Sequence, residues 1–164
     1  MESPVIQPAT IHGSCVCRDG AAVLLLGPPG AGKSDLALRL LARGFVLVAD
    51  DRVVIEAGQA APPTALAGLL EVRGIGIFRL GYVAAARLAL VVDLTPVDLV
   101  PVDVTSLVRT PEAGERLPWP RTLAGSTIPM VRIDARAASA PERVALALDC
   151  ALGRVEQVVG AFAA

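Results

Sequence analysis

An apolar run from Ala21 to Leu26 passes directly into Gly27, Pro28, Pro29, Gly30, Ala31, Gly32, Lys33 and Ser34, and then into the spaced leucines Leu36, Leu40 and Leu41. The loop fits the G-x-x-x-x-G-K-[ST] pattern, and it sits where that pattern carries meaning, after a strand and at the start of a helix. Few features restrict a fold so strongly. The chain must leave a strand, turn over small residues and enter a helix with its amide groups converging on one point. Converging amides and a helix N-terminus make a nest for anions. In that nest a lysine reaches the β- and γ-phosphates of a nucleotide, and a serine hydroxyl ligates Mg²⁺. The loop therefore predicts ATP and Mg²⁺ as cofactors, with Gly27 through Ser34 as the binding residues.

The lysine content sharpens this. The chain has fifteen cationic residues, and Lys33 is its only lysine. Arginine serves everywhere else. A compact ammonium on a flexible stem curls over a phosphate chain in a way that a planar guanidinium does not.

Around the loop, Ile11 to Cys17 and Ala21 to Leu26 flank Arg18, Asp19 and Gly20, which reads as a hairpin with Asp19 and Gly20 as its turn. In that register Cys17 faces Ala22, and the single histidine, His12, falls opposite Gly27, beside the phosphate site. Ser34 to Ala42 reads as a short helix ended by Gly44. Phe45 to Ala49 is a strand running into Asp50 and Asp51, and Val53 to Ile55 continues it after a bend. Leu70 to Leu80 is strand-like, with Gly74 and Gly76 marking a bulge or a close backbone approach. Arg87 to Asp93 and Ile128 to Ile133 are further strands. The proline-rich stretch around 96–125 reads as an irregular or mobile connection. Ser139 to Glu142 is a capping box opening a helix whose apolar period runs from Val144 to Val159. The sum is an α/β class: one P-loop domain over 1–164, with a mixed β-sheet and short helices.

Two acidic residues return to the loop unusually early. Asp50 and Asp51 follow Ser34 by one short helix and one strand, whereas most P-loop proteins draw the metal-binding carboxylate from a later strand. Adjacent strand residues point to opposite faces, so the two differ in role. One serves as a base toward a substrate hydroxyl, and the other makes structural or metal contacts. The plain alternative is a solvated strand end. Glu71 and Arg73, two apart, share a face of the next strand, and a carboxylate with a guanidinium there suits Mg²⁺ and transition-state charge. Their plain alternative is an exposed ion pair.

Together these residues resemble the catalytic domain of the HPr kinase/phosphorylase family. The resemblance runs from His12 and Gly13 through the loop, through Leu47-Val-Ala-Asp-Asp51 and through Leu70-Glu-Val-Arg-Gly-Ile-Gly-Ile77. It continues more weakly through Glu115-Arg116-Leu117 and Ile128-Pro129 to the last helix. It implies a carboxykinase-like fold and transfer of phosphate from ATP to a regulatory serine of the phosphocarrier protein HPr. It also implies reversal of that transfer by phosphorolysis. Lys33 is then on the phosphates, Ser34 and Glu71 on Mg²⁺, Asp51 the acid/base, Arg116 the catalytic arginine, and His12 near the centre. Asp50, Arg73, Gly74, Gly76 and Arg136 support them. The family assembles as hexamers, so a homo-oligomer is expected. The chain is similar to the form without the N-terminal domain. Near Arg132 to Ala137 the family has a Pro- and Gly-flanked pair of arginines; of these only Arg136 has a counterpart here, which favours kinase over phosphorylase action.

Bulk properties exclude other classes. A net charge of −1 with no basic patch argues against nucleic acid as a partner. Mean hydropathy is high, at +0.60, but charges interrupt every apolar stretch before the roughly 20 residues a membrane span needs. Cys15, Cys17 and Cys150 lack metal spacing and read as reduced core thiols of a cytoplasmic protein. Two other classes fit the loop: a small-metabolite P-loop kinase, and a nucleotide-sensing regulatory protein without catalysis. The first requires a longer helix after Ser34 and a lid with paired arginines.

Overall fold

The computed structural model describes residues 8–96, 119–123, 126–158 and 162. Strands β1 (Ala9–His12), β2 (Ser14–Arg18) and β3 (Ala21–Leu26) lead to helix α1 (Lys33–Leu41). Then come β4 (Val46–Ala49), β5 (Arg52–Glu56), β6 (Gln59–Ala61), β7 (Leu69–Val72), β8 (Gly76–Arg79) and β9 (Ala86–Asp93). Strands β10 (Trp119–Leu123) and β11 (Ser126–Arg132) and helix α2 (Ala140–Ala151) complete the described elements. This is the mixed-sheet α/β architecture that the strand and helix patterns predict.

The main sheet runs β1-β5-β6-β9-β3-β2-β4, and β11 adds to β9 with β10 outside it. Strand β3 pairs parallel with β9 and antiparallel with β2, so it lies inside the sheet with both faces covered. Burial on both faces is why Ala21 to Leu26 is apolar without alternation. Its odd-numbered side chains, Val23 and Leu25, join Leu36 and Leu40 of α1 and Val144 and Leu148 of α2. Its even-numbered side chains, Leu24 and Leu26, join Val48, Val53, Ile55 and Val91, a second core enclosed by the sheet's own strands. Cys15 and Cys17 belong to that second core as free thiols, and burial pushes the Cys15 thiol far above the usual range.

The Asp19–Gly20 hairpin forms with the expected register, Cys17 opposite Ala22. It ends, however, at Ser14 opposite Leu25. Gly13 breaks the strand, and His12 pairs with Arg52 of β5 rather than lying opposite Gly27. The expected placement of His12 by hairpin register is therefore wrong. Only a glycine fits at the break: a Cβ on Gly13 would sit 2.8 Å from the carbonyl oxygen of Leu25. The partner ladder bends at the same place. Cys15 pairs with Ala49, the Gly13 amide donates to the Asp51 carbonyl, and His12 pairs with Arg52. Residues 9–18 and 46–56 thus form one long antiparallel ladder folded at Gly13 and Asp50-Asp51, and Val53 to Ile55 does continue β4 after a bend.

Further expectations are corrected. Leu70 to Leu80 is not a single strand but a separate hairpin, β7 against β8, and Glu71 pairs with Ile77. Gly74 and Gly76 lie in or beside its turn, with positive φ and open space around each Cβ position, so backbone conformation and not close approach selects glycine. Ser139 stands at the N-cap of α2 but makes no side-chain capping bond: its φ of −86 and ψ of 10 lie outside the extended region of a capping residue, and Glu142 pairs with Arg43 of the loop after α1. Helix α2 stops at Ala151, and Val155 and Val158, continuing the period, are exposed. Within the expected irregular stretch, Trp119 to Leu123 forms β10.

Candidate nucleotide and phosphotransfer site

The Gly-rich loop joins the end of β3 to the start of α1. Gly27 is irreplaceable on two grounds: its φ is +157, and a Cβ would meet that of Ala31 at 2.9 Å. Gly32 caps the helix in the left-handed region, which a side chain rarely adopts. Lys33, the first helical residue, folds its ammonium back across the loop and donates to the carbonyls of Gly27 at 2.7 Å and Pro28 at 3.1 Å. Partial burial lowers its pKa, an effect opposed by Asp50 and Asp51. The loop thus holds its single cation folded against its own carbonyls.

Asp50 and Asp51 are split by the bend as their adjacency predicts. Asp50 is buried, with 5% of its surface exposed, and it accepts at both oxygens. The hydroxyls of Ser14 and Ser34 donate to Oδ1 at 2.6 and 2.8 Å, and the Glu71 amide donates to Oδ2 at 3.2 Å. One carboxylate therefore ties β2, α1 and β7 together. Asp51 takes a left-handed φ of +67 and turns out to solvent. Its side chain is 70% exposed, and its Oδ1 lies 3.9 Å from Nδ1 of His12, an ion-pair separation too long for a hydrogen bond. The ladder between β1 and β5 brings His12 to Asp51.

A cavity of about 380 Å³ opens between α1 and the β7–β8 hairpin. Gly30, Gly32, Lys33, Ser34, Glu71 and Arg73 line it, together with Asp35, Leu38 and Val72. Glu71 and Arg73 thus share the site, although Arg73 sits in the turn rather than on a strand face. Buried Leu70 and the Glu71–Asp50 bond anchor the hairpin. Asp35 and Leu38 were not singled out from sequence, because a helix of mixed composition does not declare which side faces a ligand. Ser14 was also missed, although a polar residue within an otherwise apolar strand was the available signal.

Among the described residues, no group of three or more His, Cys, Asp and Glu could hold a metal by itself. At a phosphate site Mg²⁺ is bound by one or two protein oxygens with substrate phosphates and water. The Ser34 hydroxyl and the Glu71 carboxylate, which border one cavity, would be such oxygens.

Arg136 faces Asp134, with bonds of 3.1 and 3.3 Å, and these bonds, with the Arg136 amide, hold the Asp134 carboxyl below its usual range. Arg132 pairs with Asp93 at 3.0 Å. Arg116 lies outside the described residues, as do Glu115 and Leu117.

The domain is of the mixed-sheet α/β class, with a glycine-rich strand-to-helix loop, a buried carboxylate on the loop serine and a cavity beside it. The chain belongs to the family described as "HPr Serine kinase C-terminal domain", whose family model matches residues 5–112. The HPr kinase/phosphorylase of Caldanaerobacter subterraneus subsp. tengcongensis is 43% identical over 102 residues, covering 57% of this chain and 33% of that protein. That of Levilactobacillus brevis is 40% identical over 82 residues, covering 47% of this chain and 26% of the relative. The chain spans about a quarter to a third of the length of these curated relatives. The fold is also that of the Hpr(Ser) kinase/phosphatase from Coxiella burnetii, with a TM-score of 0.71 over 88% of this chain and 92% of the other, at 22% identity. Among the described residues no helix is long and apolar enough to cross a membrane.

Proposed function

We propose that this chain transfers the γ-phosphoryl group of ATP to a serine hydroxyl of an HPr-like phosphocarrier protein. The observation that carries this is the division of labour at the bend: Asp50 buried on Ser34, and Asp51 turned outward beside it. Phosphoryl transfer needs little from a protein beyond positioning, charge stabilisation and a base. The loop amides and Lys33 hold the phosphates. Ser34 and Glu71 would hold Mg²⁺, which when bound neutralises phosphate charge. Asp51, exposed to solvent next to buried Asp50, accepts the proton of the incoming serine as its oxygen bonds to the γ-phosphorus. The bond from that phosphorus to the β–γ bridging oxygen breaks, and ADP leaves. His12, at 3.9 Å, is a neighbour able to hold Asp51 toward the substrate. Arg116 is assigned to transition-state charge through the family resemblance alone.

The fit to a protein substrate rests on family membership and on the openness of Asp51. Self-association, a hexamer by resemblance, is part of the same reading. The test is to incubate the protein with Mg-ATP and the host's HPr homologue and to look for phosphoserine by mass spectrometry. ATP binding without any phosphoserine would favour the nucleotide-sensing alternative, and phosphorylation of a small metabolite instead would favour the other.

A further inference from the structure

Among the described residues only two buried side chains are polar or charged, Ser14 at 1% exposed and Asp50 at 5%, and they are bonded to each other. Burying a serine in the middle of a sheet costs free energy unless its hydroxyl is used. Here the hydroxyl is spent on the same oxygen of Asp50 that receives Ser34. A hydroxyl carries one proton. Since Ser34 gives its proton to Asp50, only lone pairs of its oxygen remain toward the cavity, which suits a cation and not an acceptor.

That orientation depends on where Oδ1 stands. Two neighbours fix the carboxylate from the protein side: the Glu71 amide holds Oδ2, and Ser14 holds Oδ1. The Glu71 amide belongs to the β7–β8 hairpin, which among the described residues is a two-stranded sheet separate from the main one. Ser14 belongs to the central sheet, between β3 and β4, where Leu25 pairs with it and Gly13 makes the sharp entry. Ser14 is therefore the rigid member of the pair.

We propose that Ser14 is a positioning residue for the metal: through Asp50 it sets the Ser34 hydroxyl with its lone pairs toward Mg²⁺. It touches neither nucleotide nor metal. The proposal rests on the reading of Ser34 as a Mg²⁺ ligand. Partners one step behind metal ligands typically contribute about 10–100-fold to metal affinity or activity.

The experiment measures binding of a fluorescent, non-hydrolysable ATP analogue to the full chain, in Mg²⁺ and in EDTA. Ser14→Ala should weaken binding about 10-fold or more in Mg²⁺ and leave binding in EDTA unchanged. Ser14→Cys, nearly the same size with a weak donor, should move in the same direction, and it serves as the second variant if the alanine protein does not fold. An equal loss in both media would mean that Ser14 is merely structural, and no loss in either would mean that it positions nothing. Both results overturn the proposal while leaving the Mg-ATP reading intact. If the parent protein gains no affinity from Mg²⁺, the underlying reading falls first and this one with it.

Discussion

The hydroxyl of Ser34 and the carboxylate of Asp50 meet at 2.8 Å, joining the first turn of α1 to the bend after β4. Nothing local holds them together. The bond exists because a short helix and a short strand bring the chain back to its own phosphate loop, and it gives the loop serine a fixed direction. Replacing Asp50 with Asn should remove the negative charge behind the Ser34 hydroxyl and leave one donor without an acceptor. With the amide oxygen in place of Oδ1 both hydroxyls can still donate to it, but the amide NH2 then faces the Glu71 N–H; the flipped amide instead turns its NH2 toward the two hydroxyls. Such a defect typically costs about 1–3 kcal/mol. Urea unfolding of Asp50→Asn should show that loss together with weaker Mg-ATP binding; unchanged values of both would contradict the arrangement.

Lys33→Ala should abolish phosphotransfer and weaken ATP binding. No other lysine is available to substitute, and the cation folded across the loop is lost. Lys33→Arg should fare little better, since a planar guanidinium does not reproduce the ammonium's contacts with Gly27 and Pro28. Steady-state assays on both variants test this, and parent-like activity in either would oppose the assignment.

Asp51→Asn is a clean probe, because asparagine tolerates the left-handed backbone that Asp51 adopts. Its ATP affinity should stay close to that of the parent, while phosphotransfer falls about 10²–10⁴-fold, the usual contribution of a general base. If Asp50→Asn kept nucleotide affinity and lost more turnover than Asp51→Asn, the two roles would have to be exchanged.

Gly13→Ala tests the fold in the ladder. Its methyl group would press on the Leu25 carbonyl at 2.8 Å, so backbone must move between β2 and β3. A loss of about 1–3 kcal/mol is expected. Thermal unfolding measures it, and a parent-like Tm would show that the bend accommodates a side chain.

Phosphate should drive the reverse reaction poorly. Binding a second anion calls for uncommitted cations or amides, yet Arg136 is bonded to Asp134 and Arg132 to Asp93. With phosphoserine-bearing partner and millimolar phosphate, pyrophosphate release should be much slower than forward transfer. Equal rates would show that these arginines leave their partners in use.

What the sequence determined by itself is local. The loop from Gly27 to Ser34, the apolar strand before it and the short helix after it follow from residue types whose conformational preferences act over a few positions. The Asp19–Gly20 turn is legible for the same reason, and so is the separation of Asp50 from Asp51, which adjacency alone requires. The family motif at Leu70 to Ile77 was legible as a motif but not as a hairpin, because a turn with glycines and a bulged strand leave the same letters. Which distant groups come together is settled by strand pairing across the sheet. His12 arrives by pairing with Arg52, since Gly13 ends the earlier register, and no periodicity announces a break forced by a carbonyl on another strand. Ser14 becomes a partner of Asp50 because β2 lies between β3 and β4. Burial of both side chains then selects the one arrangement in which each satisfies the other.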